Sequence, residues 1–272
     1  TYRTTLAGTT IFPANTATLV RAVALPASGS NIYLASEVKQ QTVVYGVEGT
    51  PNPDGTGTYL IESAADLIRV ANSSVRSGNF KVTADIDMTG IPFTSINAFT
   101  GTWDGQYKTI SGLTVPLFDN VTGATIRNVR LDNVNTTCTT AYVGSLVNVA
   151  SGVSRIYNCG VLASVASSVS GGTTATGGLV GRLRGNSRVV NCYNYASVSS
   201  TALAGGVVGS NESNFDRSNN GTLVFNCMNY GDLNGATVAP VYGGTMISNE
   251  TSTGVNTYTF FRFDSKRTGT LV

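Results

Sequence analysis

The sequence contains no histidine. That removes the commonest general base and the commonest metal ligand. It excludes Ser-His-Asp and Cys-His catalysis within the chain, and the expectation is a protein that is not an enzyme and carries no cofactor. Charge is scarce as well. Asp, Glu, Lys and Arg make up 12% of the residues, and the formal net charge is +2. No run of Lys and Arg interleaves with aromatics, so no nucleic-acid partner is expected. No apolar run approaches the length that spans a bilayer, so no membrane span is expected either. Proline is sparse, with 7 residues. The chain starts at Thr1 rather than Met, which reads as a processed or cut terminus with any signal peptide already removed.

What the sequence has in quantity is Gly, with 31 residues, together with Thr, Ser, Asn and Val, and hydrophobic residues reach 41%. That is too apolar for a disordered chain. Thr and Val favour strands, while Gly and Asn favour tight turns. Both point to an all-β protein of many short strands.

One phrase recurs and organises the chain. It reads Ser187-Arg188-Val189-Val190-Asn191-Cys192-Tyr193-Asn194-Tyr195, with an upstream copy at Val153-Ser154-Arg155-Ile156-Tyr157-Asn158-Cys159. A downstream copy is Thr222-Leu223-Val224-Phe225-Asn226-Cys227, and a worn one is Ala124-Thr125-Ile126-Arg127-Asn128-Val129. The Asn residues lie roughly 30 to 35 residues apart, a period that marks stacked structural repeats. Gly-led apolar runs separate the phrases: Val143 to Val147, Gly177 to Gly181, Gly205 to Gly209 and Gly243 to Ile247. Single short strands cannot each bury a core, but coils stacked with ladders between rungs can. The expected fold is therefore a parallel β-helix, right-handed.

Around that body we expect four segments. Residues 1–58 hold β-like runs at Val20 to Leu25 and Thr42 to Val47, then a turn-rich stretch from Gly49 to Gly57; they pack on the body or on a neighbouring subunit. Residues 59–79 form an entry strand and a capping helix. The helix opens at Ser63-Ala64-Ala65-Asp66, and Ala64, Leu67, Ile68, Ala71 and Val75 fall on one face. Residues 80–250 carry the β-helix repeats, and residues 251–272 supply C-terminal strands.

Several stretches are similar to the GLUG-repeat surface proteins common in Bacteroidota-type genomes. They are Tyr59 to Leu67, Thr83 to Met88, Phe99 to Gly105 with Thr109 to Leu113, and the name-giving Gly178-Leu179-Val180-Gly181 with its near copy Gly206-Val207-Val208-Gly209. The resemblance covers about residues 59–250. It implies a secreted or surface-attached β-helix with an adhesive role. It supplies no shared catalytic residues.

The candidate site residues follow from the repeat. Asn128, Asn158, Asn191 and Asn226 form a structural ladder at one bend, with a ligand-binding row as the alternative. Cys159, Cys192 and Cys227 follow them, with Val129 in the same slot, so the slot wants a small apolar side chain. Inert thiols, one disulfide and a metal site all stay open there, and Cys138 has no evident partner. Asp85, Asp87 and Asp104 are the one carboxylate cluster of the coil region. Turn-stabilising carboxylates, a Ca²⁺ site and a catalytic pair are the three readings. The first needs no ligand, and a lyase would want Lys81 or Lys108 as base. The scattered acids Glu212, Asp216, Asp232 and Glu250 fall in expected loops. Tyr195 and Tyr230 share a slot, read as rung-to-rung stacking or burial under a loop, and Arg182 and Arg184 beside Arg188 read as a solvated loop face. The alternative for Tyr195, Tyr230, Arg182 and Arg184 is glycan contact. Asn-x-Ser/Thr sequons occur no more often than chance predicts.

The function expected from these observations is an extracellular or cell-surface β-helix acting as adhesin or structural surface element. Its partner would be a surface glycan or protein of a host or neighbouring cell. The alternative is a self-assembling filament or surface-layer subunit, a homo-polymer joined by strand addition from residues 1–58. A polysaccharide hydrolase or lyase ranks third.

Overall fold

In the computed structural model the described residues are 17–22, 39–44, 57–162, 164, 166–211, 221–239, 260–261 and 267–271. Glu212, Asp216, Glu250, the run Gly243 to Ile247 and most of residues 1–56 lie outside them.

The central turns of the coil are made of five short strands joined at tight bends. One complete turn runs through Phe118–Thr122, Thr125–Arg127, Arg130–Asp132, Asn135–Thr137 and Tyr142–Gly144. The chain then returns, and Val147–Ser151 pairs parallel with Phe118–Thr122, with Val147 opposite Phe118. Repetition of this step builds parallel sheets along the axis: two of seven strands, one of four and one of eight. In the largest, the long strand Leu233–Ala239 pairs with both Ser197–Ser199 and Leu203–Gly205, joining two faces of the coil. Phe260–Phe261 and Arg267–Leu271 add parallel to Met228–Asn229 and Leu233–Ala239. The architecture is a parallel β-helix.

Alternation within each strand decides which side chains fill the coil, because successive residues point to opposite faces. The inward column of one sheet reads Phe80, Trp103, Ile126, Ile156, Val189 and Val224 in register. Aromatics fill the first turns, where Phe80 stacks on Trp103 at 5.7 Å and Trp103 meets Phe118 edge-on at 5.3 Å. Aliphatics take over above them. Ile126, Ile156 and Val189 are buried, and full burial of such side chains contributes about 1.5 to 3 kcal/mol each.

The entry helix, Ala64–Asn72, covers the start of this column. Ser63 caps it: its hydroxyl accepts from the Asp66 amide at 3.3 Å and donates to Asp66 Oδ2 at 2.7 Å. Leu67 and Val70 are buried and belong to the same continuous core as Phe80 and Trp103. The helix stops at Asn72, so Val75 packs from outside it. The strands Ala17–Ala22 and Lys39–Val44 pair antiparallel with each other. They begin three residues earlier in the chain than the β-like runs expected there.

Two glycines of the Gly178-Leu179-Val180-Gly181 motif are required by close approach. A Cβ on Gly178 would sit 2.3 Å from both Asn194 Cγ and Gly206 O. One on Gly181 would sit 2.6 Å from the Val143 amide nitrogen. The motif is the place where neighbouring rungs touch through backbone.

Candidate functional site

The bend after each Thr125–Arg127-type strand requires a left-handed residue. Asn128, Asn158, Asn191 and Asn226 supply it, with φ of 56°, 55°, 54° and 49°. Asn tolerates that geometry because its short amide bonds locally. Here the amides bond each other along the axis. Asn226 Nδ2 donates to Asn191 Oδ1 at 2.7 Å, Asn191 to Asn158 at 3.3 Å, and Asn158 to Asn128 at 3.3 Å. Asn128 Nδ2 then donates to Asp104 Oδ1 at 2.9 Å. All four amides point the same way, and the row ends on a carboxylate.

Asp104 is buried and held by two further contacts, the second of them to an arginine that is itself braced. Its Oδ1 accepts the Gln106 amide at 3.0 Å, its Oδ2 lies 2.9 Å from Arg127 Nη2, and Arg127 Nη1 donates to Tyr157 at 3.3 Å. Burial works to raise the carboxyl, but the Asn128 amide, Gln106 and the Arg127 charge outweigh it and hold Asp104 below the usual carboxylate range. Asp85 and Asp87 are occupied elsewhere. Asp85 accepts the Thr109 amide at 2.8 Å, and Asp87 accepts the Thr89 amide at 2.9 Å. Hydrogen bonds from Thr89 hold Asp87 low. The Asp85, Asp87 and Asp104 cluster drawn from the sequence is not assembled: among the described residues, no three His, Cys, Asp or Glu side chains converge to hold a metal. Asp87 and Asp104 each close a local turn instead, and Asp85 reaches across to the next coil.

Cys159, Cys192 and Cys227 stack inside the coil as free, buried thiols, and Cys138 is free and half-buried. Their Sγ atoms face backbone carbonyls, Cys159 toward Tyr157 at 3.2 Å and Cys192 toward Val190 at 3.3 Å. Burial pushes the Cys192 thiol well up; the hydrogen bond with Cys192, then burial, does the same to Cys227. These are not nucleophiles.

A second amide pair is buried three residues further along. Asn194 Nδ2 donates to Asn229 Oδ1 at 2.9 Å, and each also closes a turn on its own backbone, at Ala196 and Gly231. Asn194 occupies the space that Gly178 leaves empty. The signal for it is present in the repeat, as Asn191-Cys192-Tyr193-Asn194 and Asn226-Cys227-Met228-Asn229.

Outside the amide row lies an aromatic and cationic strip. Tyr195 and Tyr230 stack face to face at 4.4 Å, and Tyr193 meets Tyr195 edge-on at 6.1 Å. Tyr193 lies over Gly160, whose missing side chain makes room for the ring: a Cβ there would be 2.4 Å from Tyr193 Cζ. Further along the axis, Arg130 covers the Tyr107 ring at 5.2 Å. Tyr107, Arg130, Asn158, Asn191 and Tyr193 line a groove of about 200 Å³. Burial raises the Tyr193 hydroxyl and the Arg130 charge opposes it. Arg182 and Arg184 are not part of this strip. Arg182 belongs to the strand Val180–Leu183 on another sheet, over the Tyr142 ring at 4.6 Å. The four residues grouped from sequence as glycan contacts are thus split between two faces. Tyr107, Arg130 and Tyr193 were missed because only the register between rungs brings them together.

A larger groove, of about 300 Å³, is lined by Ser168, Ser170, Ser197, Ser199, Asn234 and Thr268, with Asp232. It offers short hydroxyls without an aromatic face or a cation. The smaller groove holds the more discriminating chemistry. Among the described residues, no helix is long and apolar enough to cross a membrane.

Known proteins add context. Residues 56–162, less than half of the chain, match a family model described as the N-terminal region of M26 IgA1-specific metallo-endopeptidases. A stretch of 94 residues is 37% identical to halomucin of Haloquadratum walsbyi; it makes up 30% of this chain and spans 1% of halomucin. A solved structure of a protein provisionally assigned as an immunoglobulin A1 protease from Bacteroides ovatus aligns at 20% identity with a TM-score of 0.49, covering 80% of this chain and 85% of that one. The first of these overturns one expectation. The absence of histidine led to the expectation that the protein is not an enzyme, whereas residues 56–162 are similar to the N-terminal region of a peptidase family. Catalytic side chains were the wrong criterion, since the similarity lies in the entry segment and first coils, which hold the fold.

Proposed function

We propose that this chain works outside the cell, as a secreted or surface-attached β-helix whose lateral face makes adhesive contact with a surface partner. The observation that carries the proposal is the strip of Tyr107, Arg130, Tyr193, Tyr195 and Tyr230 along one side of a rigid amide ladder. Exposed aromatics that stay ordered present contact area with little conformational entropy left to lose. The GLUG-type glycine runs and the similarity to halomucin support the extracellular setting. The similarity to the N-terminal region of M26 peptidases supports a coil that accompanies such chemistry and presents a surface beside it. Self-assembly through residues 1–58 remains the sequence-based alternative. The strands described in that segment pair with each other.

The test is retention of beads coated with the full chain on cell layers under flow. Wild-type beads are expected to hold, and beads carrying Tyr195→Ala with Tyr230→Ala to hold less. Equal retention of wild-type and uncoated beads would sink the adhesive reading.

A further inference from the structure

We propose that the groove beside the amide ladder binds an acidic glycan, a polysaccharide bearing carboxylate or sulfate groups. The proposal rests on the adhesive reading above and names the ligand class of that face. Arg130 supplies the charge. It is exposed and sits over Tyr107, and no ion pair engages it among the described residues, whereas nearby Arg127 is neutralised by Asp104 at 2.9 Å. The residues lining the groove include no carboxylate, so an incoming anion meets no like charge.

The amides supply direction. Asn158 and Asn191 each use one N–H and one oxygen lone pair along the ladder. An amide has a second of each, which leaves a donor and an acceptor per rung for sugar hydroxyls. Rungs repeat every ~4.8 Å, so the polar groups recur at a spacing close to that of successive sugars in an extended chain. Tyr193, seated in the notch above Gly160, and exposed Tyr107 give the ring faces on which sugars stack. A planar guanidinium suits carboxylate and sulfate, which it bonds through two parallel donors. Nucleic acid is disfavoured by the low overall charge of +2 and the absence of a basic stripe.

The experiment measures binding of the full chain to immobilised alginate, chondroitin sulfate and neutral dextran. Binding to one or both acidic polymers, weakened by salt, with none to dextran, is expected; the two acidic arms tell carboxylate from sulfate. Arg130→Gln should weaken binding about tenfold, the value of one charge-assisted hydrogen bond. Arg69→Gln removes the same charge from the entry helix and should leave binding within about twofold. Gly160→Ala removes no binding group but pushes the Tyr193 ring from its notch, and should also weaken binding while the circular dichroism spectrum stays unchanged. Equal binding to dextran, or full binding by Arg130→Gln, would overturn the proposal. If neither acidic polymer binds while coated beads still adhere to cells, the acidic-glycan inference fails and the adhesive reading stands. If the beads do not adhere either, both fail.

Discussion

Replacing Asn158 by Ala removes two side-chain hydrogen bonds, one donated to Asn128 Oδ1 and one accepted from Asn191 Nδ2, both 3.3 Å. Each is a neutral amide bond at a half-buried bend, and such bonds contribute about 1 kcal/mol net. The backbone there holds φ of 55°, which Asn accepts and Ala resists, adding about 1 kcal/mol. The expected loss is therefore about 3 kcal/mol for Ala. Gly loses the same two bonds but adopts positive φ freely, so its expected loss is about 2 kcal/mol. Asn226 is the last member of the row among the described residues and donates to Asn191 alone. Asn226→Ala should lose one bond fewer and cost about 2 kcal/mol. Urea unfolding followed by far-UV circular dichroism reads these differences as midpoint shifts at a common slope. The reasoning is refuted if Asn158→Ala stays within about 0.5 kcal/mol of wild type, since the row would then contribute nothing net. It is also refuted if Asn226→Ala is as damaging as Asn158→Ala, because position along the row would then not matter.

Other consequences are open to direct measurement. The folded Asp104 carboxyl is held below its ordinary value, so its stabilisation is complete above about pH 4 and is lost as pH falls through the lower folded value. Asp104→Asn should flatten the acid limb of the stability profile, and an unchanged limb would count against the carboxylate as the anchor of the ladder. Gly178→Ala forces a Cβ to within 2.3 Å of Asn194, and the expected loss is about 3 kcal/mol. Adding Asn194→Ala should recover part of that loss, visible as a coupling of about 1 kcal/mol in a double-mutant cycle. Native-state alkylation read by mass spectrometry should label half-buried Cys138 first and leave Cys159, Cys192 and Cys227 unmodified until the chain unfolds. Early labelling of any of those three would show that the coil opens locally.

How much was legible in the sequence varies with the range of the interaction involved. The repeat phrase and its period determine the stacked coil, because alternation within short strands sends Ile126, Ile156 and Val189 inward whatever surrounds them. Ser63 and Asp66 mark the entry helix for an equally local reason, a cap closed within four residues. The end of that helix was less legible: Val75 keeps the apolar spacing, but the chain leaves the helix after Asn72 with Ser73 bonded back to Arg69 and Val70. The conclusion drawn from the missing histidine failed for a different reason. Similarity to a peptidase family's N-terminal region resides in a scaffold, and composition bears only on catalytic groups within the chain.

The sequence by itself determined the class of fold, the rung period and the bend positions, since these depend on side-chain alternation and on left-handed backbone at Asn. Only the tertiary structure decided what lies beside what across rungs. Asp104 anchors the amide row because the strand Thr102–Asp104 pairs in register with Thr125–Arg127. Tyr107, Arg130 and Tyr193 share a groove, while Arg182 stands on another sheet, because register and bend angle set those distances. A repeat motif shows that residues recur; the stacking of one rung on the next shows which of them meet.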